Sequence, residues 1–334
     1  MIDLIKYTKS GLKNYEVIQL VAKNNLSNNS EAGKECYSNK RTKNFKQEHG
    51  IYIAIDVKRN LKLECSLQKY FNECTTGERQ NYNFFTMKQA KEAHHNLISE
   101  KTLNLAGMKI KYYEVGLNLL LSKDCINYLR KITHIETKTG KRKKFYINPK
   151  FKNERTITTE FHDDIRVNYR VYDKVAEIKD KNKKGKNLNA FLLDKNILRI
   201  ETVNKRVEKQ PAHNFFFPAN LKRICEAFFR DWEGVVFEPN IIYPPHTGKA
   251  KKEIASNILA YGKDNVLKRS KEAHKCGKLT DREYRSTREF VKNEWNTFET
   301  KLLFMQSAEE QEFRSELGRC KAVLFNEFIN LILK

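Results

Sequence analysis

Three short stretches of this chain place tyrosine, carboxylate and arginine at alternate positions. Side chains two apart on a strand share a face. In residues 112–120 this sets Tyr112, Glu114, Gly116 and Asn118 on one side, with Tyr113, Val115, Leu117 and Leu119 on the other. Residues 168–174 divide likewise, Asn168, Arg170, Tyr172 and Lys174 against Tyr169, Val171 and Asp173. Residues 198–203 set Arg199 and Glu201 against Leu198, Ile200 and Thr202. If the three strands are neighbours, their polar faces gather two carboxylates, two tyrosines, two arginines and a lysine on one surface. Phosphoryl transfer on DNA uses that inventory: a carboxylate holds Mg2+ or Mn2+ against a phosphate oxygen, cations stabilise the transition state, and a hydroxyl attacks in line. A tyrosine in that role takes the phosphate covalently and releases a 3′-hydroxyl. Alternation alone favours a simpler reading, a half-exposed antiparallel sheet with cross-strand ion pairs, Arg170 to Glu201 for example.

The elements that must position these residues are legible in outline. IYIAIDV (residues 51–57) alternates and is β-branched, which predicts a strand, and residues 86–99 suit a helix. Strands are expected within residues 108–121, 155–178 and 196–205, the middle one a hairpin turning near Asp163 and Asp164. Residues 24–49 are polar and read as a long loop; residues 138–152 and 179–189 are Lys-rich and read as exposed basic loops. The first of these interleaves Lys141, Arg142, Lys143 and Lys144 with Phe145, Tyr146 and Phe151, a pattern suited to phosphate contact as well as to an ordinary solvated face. From about residue 221 the pattern turns helical. Gly277 ends one helix and Thr280 opens another, with Glu283 completing a capping box. The second helix carries Arg282, Arg285 and Arg288, and the pair has a helix-turn-helix shape. The expected fold is α+β: an antiparallel sheet core with flanking helices over residues 1–215, then a mostly helical DNA-binding or accessory domain over residues 216–334.

The chain carries 64 Lys plus Arg against 41 Asp plus Glu in 334 residues, a net charge of +23. Such an excess points to an acidic partner, and nucleic acid is the commonest, because each phosphate neutralised releases a condensed counterion. No apolar stretch is long enough for a membrane span, and MIDLIKYTKSGLK lacks the apolar core of a signal peptide, so the expected location is the cytoplasm. Seven scattered cysteines without a C-x-x-C pair argue against a disulfide framework or a zinc site and predict reduced, mostly buried thiols.

In order along the chain, MIDLIKY, YYEVGLN (residues 112–118), NYRVYDKVAE (168–177), LRIETVNK (198–205) and a helical tail with WEGVVF resemble the phage and plasmid replication initiators of the filamentous-phage gene II and gene X type. The resemblance spans most of the chain through short motifs. It implies a rolling-circle nicking and closing endonuclease that holds the 5′ end on a tyrosine while the 3′ end primes synthesis. Single-stranded and duplex origin DNA and a host polymerase would be its partners. No Walker-type segment is present, so a host helicase would unwind. The family's Tyr-x-Lys step maps onto Tyr172 and Lys174, its metal-binding acid onto Glu114, and Glu201 matches the acid of the later Arg-x-Glu strand; Mg2+ or Mn2+ is the implied cofactor. The chain departs from better-known initiators in lacking a His-hydrophobe-His pair. His94 and His95 are adjacent and point apart in a helix, leaving His162 in FHDD as the more plausible third ligand. Tyr169 faces away from Tyr172 in a straight strand, although a bulge would exchange them. The alternative is a non-catalytic, sequence-specific DNA-binding initiator or repressor, which needs no tyrosine chemistry.

Overall fold

A computed structural model describes residues 1–29, 35–39, 48–137, 142–147, 155–159, 166–181, 192 and 194–332. The chain forms β1 (Ile2–Lys9), α1 (Asn14–Lys23), β2 (Ser27–Asn28), β3 (Tyr37–Ser38), β4 (Tyr52–Ile55), β5 (Leu61–Ser66), α2 (Leu67–Thr76), α3 (Met87–Glu100) and β6 (Lys109–Leu121). It continues through α4 (Cys125–Leu129), β7 (Ile132–Glu136), β8 (Arg142–Lys144), β9 (Tyr146–Ile147), β10 (Thr156–Thr158), β11 (Val167–Asp173), α5 (Lys174–Lys181), β12 (Asn196–Pro211), α6 (Ala212–Phe215), α7 (Pro218–Glu233) and β13 (Val235–Phe237). Then follow β14 (Asn240–Ile242), α8 (Lys249–Tyr261), α9 (Lys263–Lys275), α10 (Asp281–Glu289), α11 (Trp295–Glu299), β15 (Leu303–Met305) and α12 (Ala308–Ile332).

Two compact units result, residues 1–237 with 308–334, and residues 238–307. The boundary expected at 215/216 is therefore displaced. α7 and α12 carry Phe228, Phe229, Trp232, Phe313 and Leu317 into the core of the sheet unit, because each presents an apolar stripe that the sheet buries. The antiparallel α+β architecture stands; what separates from it is a smaller unit with its own core of Ala255, Ile258, Val266, Phe290, Val291, Trp295 and Leu302.

The sheet of the first unit runs β2-β3-β4-β5-β1-β6-β12-β11-β10-β9, antiparallel throughout. β6, β12 and β11 are neighbours, as the shared polar faces required. Register fixes the site: Glu201 lies opposite Arg170 on one side and Gly116 on the other, and Arg199 lies between Tyr172 and Asn118. The reverse face is apolar, with Val115, Leu117, Leu119, Val171, Leu198 and Ile200 buried. There Trp232 donates to Thr202 Oγ1 at 3.0 Å.

Several local expectations change. Residues 24–49 are not wholly loop, since Ser27–Asn28 and Tyr37–Ser38 extend the sheet edge. The basic segment 138–152 includes β8, paired with β7, and β9, paired with β10. Residues 179–181 finish α5 and are not loop. β12 runs to Pro211, past the expected end. α3 forms as expected behind a Thr86 and Gln89 capping box. All seven cysteines are free; Cys65, Cys125, Cys225 and Cys320 are buried, Cys36 is half-buried, and Cys74 and Cys276 are exposed. No helix among the described residues is long and apolar enough to cross a membrane.

Candidate active site

β11 brings Tyr172 to the middle of the polar face, and its hydroxyl donates to Glu201 Oε1 at 2.8 Å. The same oxygen accepts from Arg199 Nε at 2.7 Å. Arg170, directly across from Glu201, places Nε 3.5 Å from Glu201 Oε2 and donates through Nη2 to Glu114 Oε1 at 2.5 Å. That Glu114 oxygen also accepts from the Tyr112 hydroxyl. Arg199 is fully buried and donates to Asp3 Oδ2 at 2.5 Å, Asn118 Oδ1 at 3.1 Å and the Asn81 carbonyl at 3.2 Å. Asp3 is further held by Ser66 and by Asn81 Nδ2.

Two features of the local chain make this possible. The β1–β6 pairing shifts register between Ile2 and Ile5, so Asp3 and Lys6, an odd number of residues apart, both serve the polar face. Gly116 leaves room for Arg199: a Cβ there would stand 2.6 Å from Arg199 Nη2.

The environment separates the two glutamates. Burial pushes the Glu201 carboxyl up, but Arg170 and Arg199 outweigh it and hold the group below the ordinary carboxylate range. Glu114 is raised, by burial first and then by Glu201, with Arg170 only partly offsetting. Burial, followed by the nearby Glu201 charge, raises the Tyr172 phenol well above its usual range, so it is neutral and donates. Arg170 Nε is buried without a hydrogen-bond partner, a donor left over in the middle of the cluster.

A cavity of about 350 Å³ opens on this face, lined among others by Asp3, Glu114, Arg170, Tyr172 and Glu201. Glu114, Tyr172 and Glu201 thus share one concave surface. It is not basic: Asp3, Glu114, Asp173, Glu177, Asp180 and Glu201 line it against Lys69, Arg155 and Arg170. Most of these carboxylates are paired, Asp3 with Arg199, Asp173 with Arg155, Glu177 with Lys174, Glu114 with Arg170, and Glu201 with Arg170 and Arg199.

Among the described residues no group of three His, Cys, Asp or Glu side chains forms a closed metal seat. Mg2+ needs none, since one or two carboxylates with waters and substrate phosphate suffice. Glu114 and Glu201 are the carboxylates of this face that an ion of that kind would use. His162 and Lys141 lie outside the described residues.

No family model matches the chain, and no curated protein matches it.

Lys174 does not extend the strand face. β11 ends at Asp173 and Lys174 opens α5, where its Nζ is buried 2.7 Å from Glu177 and 5.7 Å from the centre of the Tyr172 ring. Burial first, then Arg199, lowers its ammonium to about 8, with Glu177 opposing. Tyr169 lies on the reverse face as alternation required. β11 pairs with β12 without a bulge, and the Tyr169 hydroxyl donates to Asp231 at 2.9 Å beside Trp232. Of the basic segment, Arg142 pairs with Glu136 at 3.1 Å, Lys143 donates to the Val167 carbonyl at 3.0 Å, and Lys144 is exposed. In the second unit Arg282, Arg285 and Arg288 are exposed on α10, behind the expected Thr280 and Glu283 capping box. Asp3 is the site residue that sequence reasoning passed over; Arg199 and Gly116 were placed on the polar faces without a role of their own. Arg199 shares the period of Glu201 and was within reach; Asp3 became visible only through pairing.

Proposed function

We propose that this chain is a rolling-circle replication initiator, which nicks one strand at an origin and rejoins it through a 5′-phosphotyrosine on Tyr172. The observation that supports this reading is the Tyr172 hydroxyl, hydrogen-bonded at 2.8 Å to a carboxylate held ionised by two arginines and opening on a cavity. Glu201 takes the phenol proton as the Tyr172 oxygen attacks phosphorus; the bond from phosphorus to the 3′-oxygen breaks, and that oxygen takes a proton from water. Arg170, with its spare Nε–H, donates to a non-bridging phosphate oxygen as charge builds there. Glu114 and Glu201 would hold a bound Mg2+ or Mn2+, which would supply positive charge to the phosphate. Attack by the 3′-hydroxyl on the phosphotyrosine reverses the sequence and closes the strand. Cytoplasmic DNA, with a host helicase and polymerase, completes the proposed setting.

Supercoiled plasmid carrying the gene and its flanking DNA, incubated with the protein and Mg2+ or Mn2+, is expected to give open circles and a protease-sensitive adduct. Tyr172→Phe is expected to lose nicking, and Tyr169→Phe to keep it. Nicking by Tyr172→Phe at the parent rate refutes the assignment. A second reading, sequence-specific DNA binding without chemistry, is favoured by the exposed arginines of α10. It predicts metal-indifferent, salt-sensitive binding with no adduct in the same tubes.

A further inference from the structure

The smaller unit has a groove of about 700 Å³ between α8, α9 and α10 that takes no part in the proposed chemistry. Two glycines shape it. Gly262, at φ +81° and ψ 156°, ends α8 and opens α9 in a single residue, a backbone conformation that a residue with a Cβ rarely adopts. Gly277, at φ +68°, turns the chain after α9, and Thr280 caps α10. Ala255 and Ile258 of α8, Val266 of α9 and Phe290 beyond α10 pack as one core, which holds the three helices around the groove.

The one-residue turn sets Tyr261, the last residue of α8, against Arg269 of α9. The Arg269 guanidinium centre lies 4.1 Å from the centre of the Tyr261 ring. Both side chains are exposed, Tyr261 by 48%, so the pair offers a flat cationic plane at the edge of the groove. Lys278 and Arg282, also exposed, line the same groove. The ion pairs of this unit are Lys251 with Glu294 and His274 with Asp281; among the described residues Arg269, Lys278 and Arg282 have none. Glu253 and Glu283 line the groove too, Glu283 with its carboxylate committed to the Thr280 N–H and hydroxyl. Asn257 and Ser286 bring an amide and a hydroxyl that make no hydrogen bond among the described residues.

A stacking plane, unpaired cations and free hydrogen-bonding groups answer the three parts of a nucleotide: the face of its base, its phosphate and its base edge. The shape selects one strand. A duplex is read by a convex element entering its major groove, whereas a concave cleft of this volume admits only a chain whose bases are free to turn in. We infer that the groove between α8, α9 and α10 binds an unpaired DNA strand, with a base on the Tyr261–Arg269 plane and phosphates at Lys278 and Arg282. All of these residues belong to the smaller unit, so the inference stands without the nicking reading. Arg285 and Arg288 do not line the groove.

The test uses the full chain and a short fluorescent oligothymidylate, which forms no duplex of its own, with anisotropy as the readout. Tyr261→Ala, which removes the ring, and Arg269→Lys, which keeps the charge and loses the plane, are each expected to weaken binding about tenfold. A duplex oligonucleotide of equal length is expected to bind both variants as it binds the parent. In the unsubstituted protein, an oligonucleotide carrying 5-iodouracil is expected to photo-cross-link to Tyr261, a result that needs no variant to fold. Cross-links confined to the sheet unit overturn the inference. So does unchanged oligothymidylate affinity in both variants, or duplex affinity that falls by the same factor. Displacement by polyglutamate as effective as by unlabelled oligothymidylate also overturns it, since the groove then recognises charge alone.

Discussion

Gly116 faces Glu201 across β6 and β12, and the Arg199 guanidinium fills the space a side chain would need. Gly116→Ala must push that guanidinium off Asp3 and Glu201, an overpacking that costs about 1–3 kcal/mol. Urea unfolding should register the loss, and nicking should fall with it because Glu201 is no longer held ionised. Replacing Arg199 by methionine is harsher: it strands two buried carboxylates, and breaking one partner of a buried pair costs about 3–5 kcal/mol. Asp3 supplies the pH dependence. Burial raises its carboxyl, but Arg199 and the hydrogen bonds from Ser66 and Asn81 outweigh this and bring it down to about 2. A folded-state value below the unfolded one means the unfolded chain binds the proton first. The stabilisation is therefore complete above the ordinary carboxylate range and is lost as pH falls through about 2. Asp3→Asn should flatten the acid limb of a stability-against-pH curve; an unchanged limb would mean Asp3 is not held as an anion.

At the scale of elements, β11 separates two jobs by alternation, Arg170 and Tyr172 toward the cavity and Tyr169 and Val171 toward the core. Tyr169→Phe removes only the hydrogen bond to Asp231, and the expected cost is about 1.5–3 kcal/mol, as for a hydrogen bond to a charged group. Thermal melting would show this without loss of nicking, in contrast to Tyr172→Phe. α10 depends on its cap: Thr280 Oγ1 accepts from the Glu283 N–H while the Glu283 carboxylate accepts from the Thr280 N–H. Thr280→Ala should destabilise the smaller unit by about 1 kcal/mol.

The whole molecule carries +23, yet the cavity is lined by more carboxylates than cations. On the proposed reading, affinity and chemistry would fall to different surfaces. DNA binding should weaken steeply with salt, and the logarithmic slope should shrink by about 0.9 for each phosphate contact removed. Replacing Arg282, Arg285 and Arg288 by alanine is expected to lower duplex affinity and that slope together. A slope unaltered by the triple substitution would take α10 out of the DNA interface.

Much of the site was legible without coordinates. Period-two alternation assigned Glu114, Arg170, Tyr172, Arg199 and Glu201 to polar faces, because a pleated strand cannot put neighbours on one side. The capping box of α10 was legible for the same kind of local reason. Which strands lie side by side, and in what register, is set by long-range pairing, and that alone brought Asp3 to Arg199 and made Gly116 a requirement. The domain boundary was misplaced because an amphipathic helix does not say which apolar surface it will cover. Local spacing determined what each strand offers; only the packed sheet decided which offers meet.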